Sequence, residues 1–158
     1  MIHIIDANNL AGKLDLLGEE RFDEKLIGMI KEYYRGKKIF VYLVFDSADL
    51  MGDRIEMGYL TVIYAPRDNF YSSADDKIIE LVEQSEEKQI KVITDDLGII
   101  DAAADEGEKI GKEVQIIKAS DLAEKMKAGR ARQEKNGKDS PGEEEIKKLN
   151  DELFNLWK

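Results

Sequence analysis

The sequence predicts an α/β domain: a mostly parallel central sheet of about five strands, covered by helices on both faces in three layers. Three observations carry this expectation. Short β-branched apolar runs alternate with longer segments whose apolar residues recur at helical spacing. The run Ile39 to Phe45 is apolar on both faces, as a parallel strand buried on two sides must be. The length of 158 residues suits one domain with an appendage, and a chain of that size can bury about 68–70% of its unfolded surface.

Each element has its own local reason. Ile2 to Ile5 is a short apolar strand closed by Asp6. Residues 7–18, with Asn8, Asn9, Gly12 and Gly18, suit a loop. Residues 20–35 place Phe22, Leu26, Ile27, Met29, Ile30, Tyr33 and Tyr34 at helical spacing, and Gly36 suits a helix stop. The strand over 39–45 ends at Asp46, and 47–58 reads as a polar excursion. Tyr59 to Tyr64 reads as a strand, 65–73 as a loop, and 74–87 as a helix with Ile78, Ile79, Leu81 and Val82 facing inward. Ile90 to Ile93 is a strand ending at Thr94-Asp95-Asp96, followed by a helix over 97–106 and a strand over Val114 to Ile117. Ser120 suits the N-cap of a helix over 121–128. The expected division is a domain over 1–128, a linker over 129–142 and an amphipathic helix over 143–158, whose Ile146, Leu149, Leu153 and Leu156 share one face.

Composition narrows the chemistry. There is no cysteine, which excludes disulfides, thiolate metal sites and cysteine nucleophiles. One histidine, His3, leaves little room for a His-rich metal site or a Ser-His-Asp scheme. No apolar run approaches a membrane span, and no basic stretch precedes the first apolar run, so the expected compartment is the cytoplasm. The net charge of −10 argues against a broad polyanion-binding surface. All of that charge lies in residues 1–118, whereas 125–138 gathers Lys125, Lys127, Arg130, Arg132, Lys135 and Lys138 against Glu134 alone.

The acids follow the strands. Asp6, Asp46 and Asp95-Asp96 each come just after a predicted strand, and Asp75-Asp76 open a predicted helix. Ligands of open α/β sheets bind at the carboxyl ends of the strands, so these acids are expected to meet at one edge. Carboxylates in close company repel, and a hard divalent cation relieves them. An all-oxygen donor set without His or Cys points to Mg²⁺ or Mn²⁺ rather than zinc. Two such ions can activate water and steady the leaving oxygen of a phosphodiester.

Four segments in order carry a resemblance: Asp6-Ala7-Asn8-Asn9, Val44-Phe45-Asp46, Ser73-Ala74-Asp75-Asp76-Lys77-Ile78 and Val92-Ile93-Thr94-Asp95-Asp96. They resemble the NYN domains of the YacP type, within the PIN-like nucleases, over about residues 2–120. The resemblance implies a PIN-like, Rossmann-like sheet and metal-dependent endoribonuclease activity. It implies Asp6, Asp75 and Asp96 as metal ligands, Asp76 as an accessory catalytic acid, Asn9 as an orienting group and Asp46 as a supporting acid at the rim. Ala7 stands where the family has Gly. Asp95 stands where it has Ser, which leaves open which of Asp95 and Asp96 faces the metal; the motif position favours Asp96.

Structural readings compete at each position. Asp75 and Asp76 fit a capping arrangement with Ser72 or Ser73, Asp95 fits a helix cap, and Asn8 and Asn9 fit a turn. Arg67, Lys127, Arg130 and Arg132 are candidates for phosphate contacts, and Tyr64, Phe70 and Tyr71 for base stacking or for loop packing. The leading expectation is hydrolysis of RNA, entering single-stranded, to a 3′-hydroxyl and a 5′-phosphate, with the ribosome as a further candidate partner. The alternative is a catalytically silent PIN-like module that binds RNA or the ribosome. A haloacid-dehalogenase-like phosphatase needs a second acid two residues after its nucleophile, and Asn8 stands there.

Overall fold

The computed structural model describes residues 1–47, 53–66 and 74–137. In chain order they form β1 (Ile2–Asp6), α1 (Ala7–Lys13), α2 (Phe22–Tyr33), β2 (Phe40–Ser47), β3 (Asp53–Met57), β4 (Leu60–Pro66), α3 (Ala74–Gln84), β5 (Gln89–Ile93), α4 (Leu97–Ile110), β6 (Glu113–Ile117) and α5 (Ala119–Gly137). The six strands make one sheet in the order β3-β4-β2-β1-β5-β6. All neighbours are parallel except β3, which returns antiparallel along β4.

Alternation along each strand builds two cores. Ile5 of β1, Val41, Leu43 and Phe45 of β2, and Leu60 and Val62 of β4 face α1, α2 and α5. Ile2 and Ile4, Val44, Ile63, Ile90 and Val92 face α3 and α4. Burying each large aliphatic side chain contributes roughly 1.5–3 kcal/mol. The predicted three-layer α/β/α, PIN-like architecture is the observed one. No helix among the described residues is long and apolar enough to cross a membrane.

Three local expectations differ from the structure. Residues 7–13 are helical rather than loop. Asn and Gly are weak helix formers, but Leu10 and Ala11 are fully buried here and the two Asn side chains find partners in β2 and just past the end of β5. The polar excursion over 47–58 contains β3, whose residues are almost all exposed and so carry no one-sided apolar pattern. Finally, α5 begins at Ala119, so Ser120 lies in its first turn rather than at its N-cap, and the helix continues to Gly137 through the start of the stretch read as a linker. Residues 138–142 and the helix expected over 143–158 lie outside the described residues.

His3 illustrates how fully the sheet is covered. Its Nδ1 lies 2.8 Å from the Tyr34 hydroxyl at the end of α2, and the two rings meet edge to face. Its Nε2 is buried and has no hydrogen-bond partner in the structure. Burial, with added repulsion from Lys91, Lys37 and the terminal amine, lowers its pKa to about 4, so the imidazole is neutral.

Candidate active site

The central strands β2, β1 and β5 run parallel, and their carboxyl ends deliver Asp46, Asp6 and Thr94-Asp95-Asp96 side by side. The first turn of α1 ties these ends together. Asn8 Oδ1 accepts the Asp46 amide at 3.0 Å, and Asn9 Oδ1 accepts the Asp95 amide at 2.9 Å. Two adjacent side chains thus hold the strands on either side of β1.

Asp6 is the buried acid of the group, at 6% exposure. Its Oδ2 accepts a hydrogen bond from the Thr94 hydroxyl at 3.0 Å. Burial pushes its pKa up to about 6; the Thr94 hydroxyl and the Asn9 amide oppose the rise, while the charges of Asp75 and Asp46 add to it. Asp75, in the first turn of α3, is also raised, by burial first and then by Asp96, Asp46 and Asp76. Five of the six acids singled out in the sequence therefore act on one another electrostatically.

Three of the acids also anchor helices. Asp46 Oδ1 accepts the Ala74 amide at 2.8 Å and so caps α3. Asp96 caps α4 through Oδ1, which accepts the Gly98 and Ile99 amides at 2.9 and 3.3 Å. A Cβ on Gly98 would stand 3.2 Å from that same oxygen, so the close approach favours glycine. Asp95 turns toward α5 and α1: it accepts the Ser120 amide at 3.3 Å and pairs with Lys13 at 3.4 Å. Burial works against its charge, but these donors and the Ser120 hydroxyl outweigh it and hold the carboxyl below the usual range. The structure thus places Asp96, not Asp95, among the charges that act on Asp75. Asp76 is exposed.

Sequence reasoning gave Thr94 no role, yet it is fully buried and links two of the acids. Its Oγ1 donates to Asp6 and accepts the Asp96 amide at 3.1 Å. The available signal was a hydroxyl residue between a buried strand and an acid pair. Lys13 was also missed. It connects the site to the basic residues of α5, because Lys127 Nζ donates to the Lys13 carbonyl at 3.2 Å. Arg130 is exposed on α5, and Arg132 lies on the same helix. Tyr64 stacks on Phe45 with ring centroids 5.3 Å apart, and its hydroxyl donates to Asp23 at 2.9 Å, so it packs in the fold. Arg67, Phe70 and Tyr71 lie outside the described residues, as do Ser72 and Ser73.

The donor chemistry fits a hard divalent cation: oxygen ligands only, two of them with pKa raised by burial first and by neighbouring acid charges second. Among the described residues, no three carboxylates already form a group that could grip one ion. A cation here would therefore keep water ligands, as Mg²⁺ commonly does.

An open α/β sheet with acids gathered at the carboxyl ends of its central strands fits the nuclease-type fold of the PIN-like class. The chain belongs to the YacP-like NYN domain family, whose model matches residues 3–158. The match runs past the segments that carry the resemblance and includes the C-terminal stretch. Neither the curated proteins nor the solved structures yield a match.

Proposed function

We propose that the chain is an endoribonuclease that requires Mg²⁺ or Mn²⁺ and acts on single-stranded RNA in the cytoplasm. The observation that carries this reading is the buried carboxylate of Asp6, held with a raised pKa beside Asp75 and Asp46 at an open strand edge. In this reading Asp6, Asp75 and Asp96 hold the cation, Asp76 assists and Asp46 supports the rim. Thr94 and Asn9 fix the strand ends from which these acids project. The ion would supply counter-charge for the phosphodiester and activate the attacking water. Lys127, Arg130, Arg132 and Arg67 would contact RNA phosphates. The reaction expected is hydrolysis to a 3′-hydroxyl and a 5′-phosphate, because attack by the 2′-hydroxyl needs a base. The single histidine is neutral but buried against Tyr34, away from any substrate.

The experiment is RNA cleavage by the full chain in Mn²⁺, Mg²⁺ and EDTA, alongside Asp6→Asn, Asp75→Asn and Asp96→Asn. Cleavage that needs the cation and disappears in all three folded variants supports the reading. Equal cleavage in EDTA, or in the variants, overturns it. A second reading, a silent module that binds RNA or the ribosome, is favoured by the lack of a ready-made three-carboxylate group among the described residues. RNA binding without cleavage or cation binding would select it.

A further inference from the structure

The open edge of the sheet is self-complementary. Among the described residues β3 is the last strand on its side, and Asp53, Arg54, Ile55 and Glu56 are all exposed. Ile55, at 41% exposure, is one of five exposed large apolar side chains among the described residues. We infer that two copies of this chain associate through antiparallel pairing of β3 with β3, centred on Ile55.

Hydrogen-bond parity permits this register. The Val41 amide donates to the Tyr59 carbonyl at 2.9 Å, so the odd-numbered backbone groups of this segment face β2. The even-numbered residues Leu60, Val62 and Tyr64 then face β3, where they pair with Met57, Ile55 and Asp53. Antiparallel ladders bond alternate residues. The backbone groups of Arg54 and Glu56 therefore point to the open edge. The Arg54 amide accordingly donates to the Asp53 side chain at 2.8 Å instead of to β4. A two-fold axis at Ile55 sets Arg54 of one copy opposite Glu56 of the other as hydrogen-bonded pairs. The two Ile55 residues then form the closer non-hydrogen-bonded pair.

Charge selects this register from its neighbours. Arg54 and Glu56 already pair along the strand at 3.3 Å, with both largely exposed. Centred on Ile55, they would complete a ring of four alternating charges across the two copies. Centring the axis on Arg54 or Glu56 would place like charges opposite, which is unfavourable. Charges on edge strands commonly prevent pairing; here they disfavour the two neighbouring in-phase registers and support the one centred on Ile55. The partner's parallel strands would run the opposite way, so the two acid edges would open on opposite sides of a continuous sheet.

The test is sedimentation of the full chain from micromolar to millimolar concentration, with charge-swapped variants. A concentration-dependent dimer is expected. Arg54→Glu and Glu56→Arg should each weaken it about tenfold or more, and the double swap should restore it. Ile55→Cys, in a chain with no other cysteine, should cross-link to itself on mild oxidation, whereas Asp53→Cys should not. A monomer at every concentration overturns the inference and leaves the edge to some other strand. A dimer indifferent to both single swaps overturns it too, as does a folded double swap that fails to restore association.

Discussion

The Thr94 hydroxyl donates to Asp6 Oδ2 at 3.0 Å while accepting the Asp96 amide at 3.1 Å, so one buried oxygen spans two strand ends. Thr94→Val keeps the shape and removes both bonds. The expected result is a loss of about 1–3 kcal/mol in urea unfolding, together with weaker divalent-cation binding, and Thr94→Ser should retain most of both. Unchanged stability in the valine variant would show that the hydroxyl does not hold the site.

Asp6 makes stability depend on pH. Its folded pKa of about 6 lies above the ordinary value of 3.8. The stability it contributes is therefore full below about pH 4 and lost as pH rises through about 6. Asp6→Asn should match the native chain at acid pH and exceed it above neutrality by on the order of 3 kcal/mol, without divalent cations. Unfolding titrations at both pH values check this, and an advantage that does not change with pH would refute it.

The single histidine offers a clean spectroscopic probe. His3 is expected to titrate near 4 rather than 6.5, because burial disfavours its charged form. Its contribution to stability is then present above about 6.5 and lost as pH falls through about 4. One imidazole resonance followed by NMR should stay flat through neutrality and move only in acid. A midpoint near 6.5 would mean that His3 is solvated.

Asp95 and Asp75 should separate structure from chemistry. Asp95→Ala removes the bonds to Ser120 and Lys13 and should cost about 1 kcal/mol, as cap removals do, while leaving RNA cleavage in place. Asp75→Asn should do the reverse. Parallel unfolding and cleavage assays distinguish the two, and loss of cleavage with Asp95→Ala alone would return that residue to the reacting centre.

Two glycines differ in the same way. A Cβ on Gly107 would meet Val114 Cγ2 at 2.5 Å, whereas one on Gly129 would meet nothing within 4 Å. Gly107→Ala should destabilise by about 1–3 kcal/mol through overpacking, and Gly129→Ala should stabilise by up to about 1 kcal/mol through helix propensity. Equal thermal midpoints in the two variants would contradict this.

The fold was legible where local pattern and burial agree. The run before Asp46 is apolar on both faces because helices cover both, and the positions of Asp6, Asp46 and Asp95-Asp96 followed from the ends of their strands. What escaped was set at long range. Asn8 and Asn9 read as loop residues because their partners, the Asp46 and Asp95 amides, lie far along the chain. β3 escaped because a strand exposed on both faces leaves no alternation to read. The orientation of Asp95 depends on Ser120 and Lys13, and no spacing within Thr94-Asp95-Asp96 contains that fact.

The long reach of these contacts also orders events during synthesis. Asp6 is made 88 residues before its partner Thr94, and the Asp95 amide and Ser120 follow later still. A nascent chain therefore displays acids without an assembled centre. For a chain read as an RNA-cutting enzyme, the centre is complete only once β5 and the start of α5 have been made.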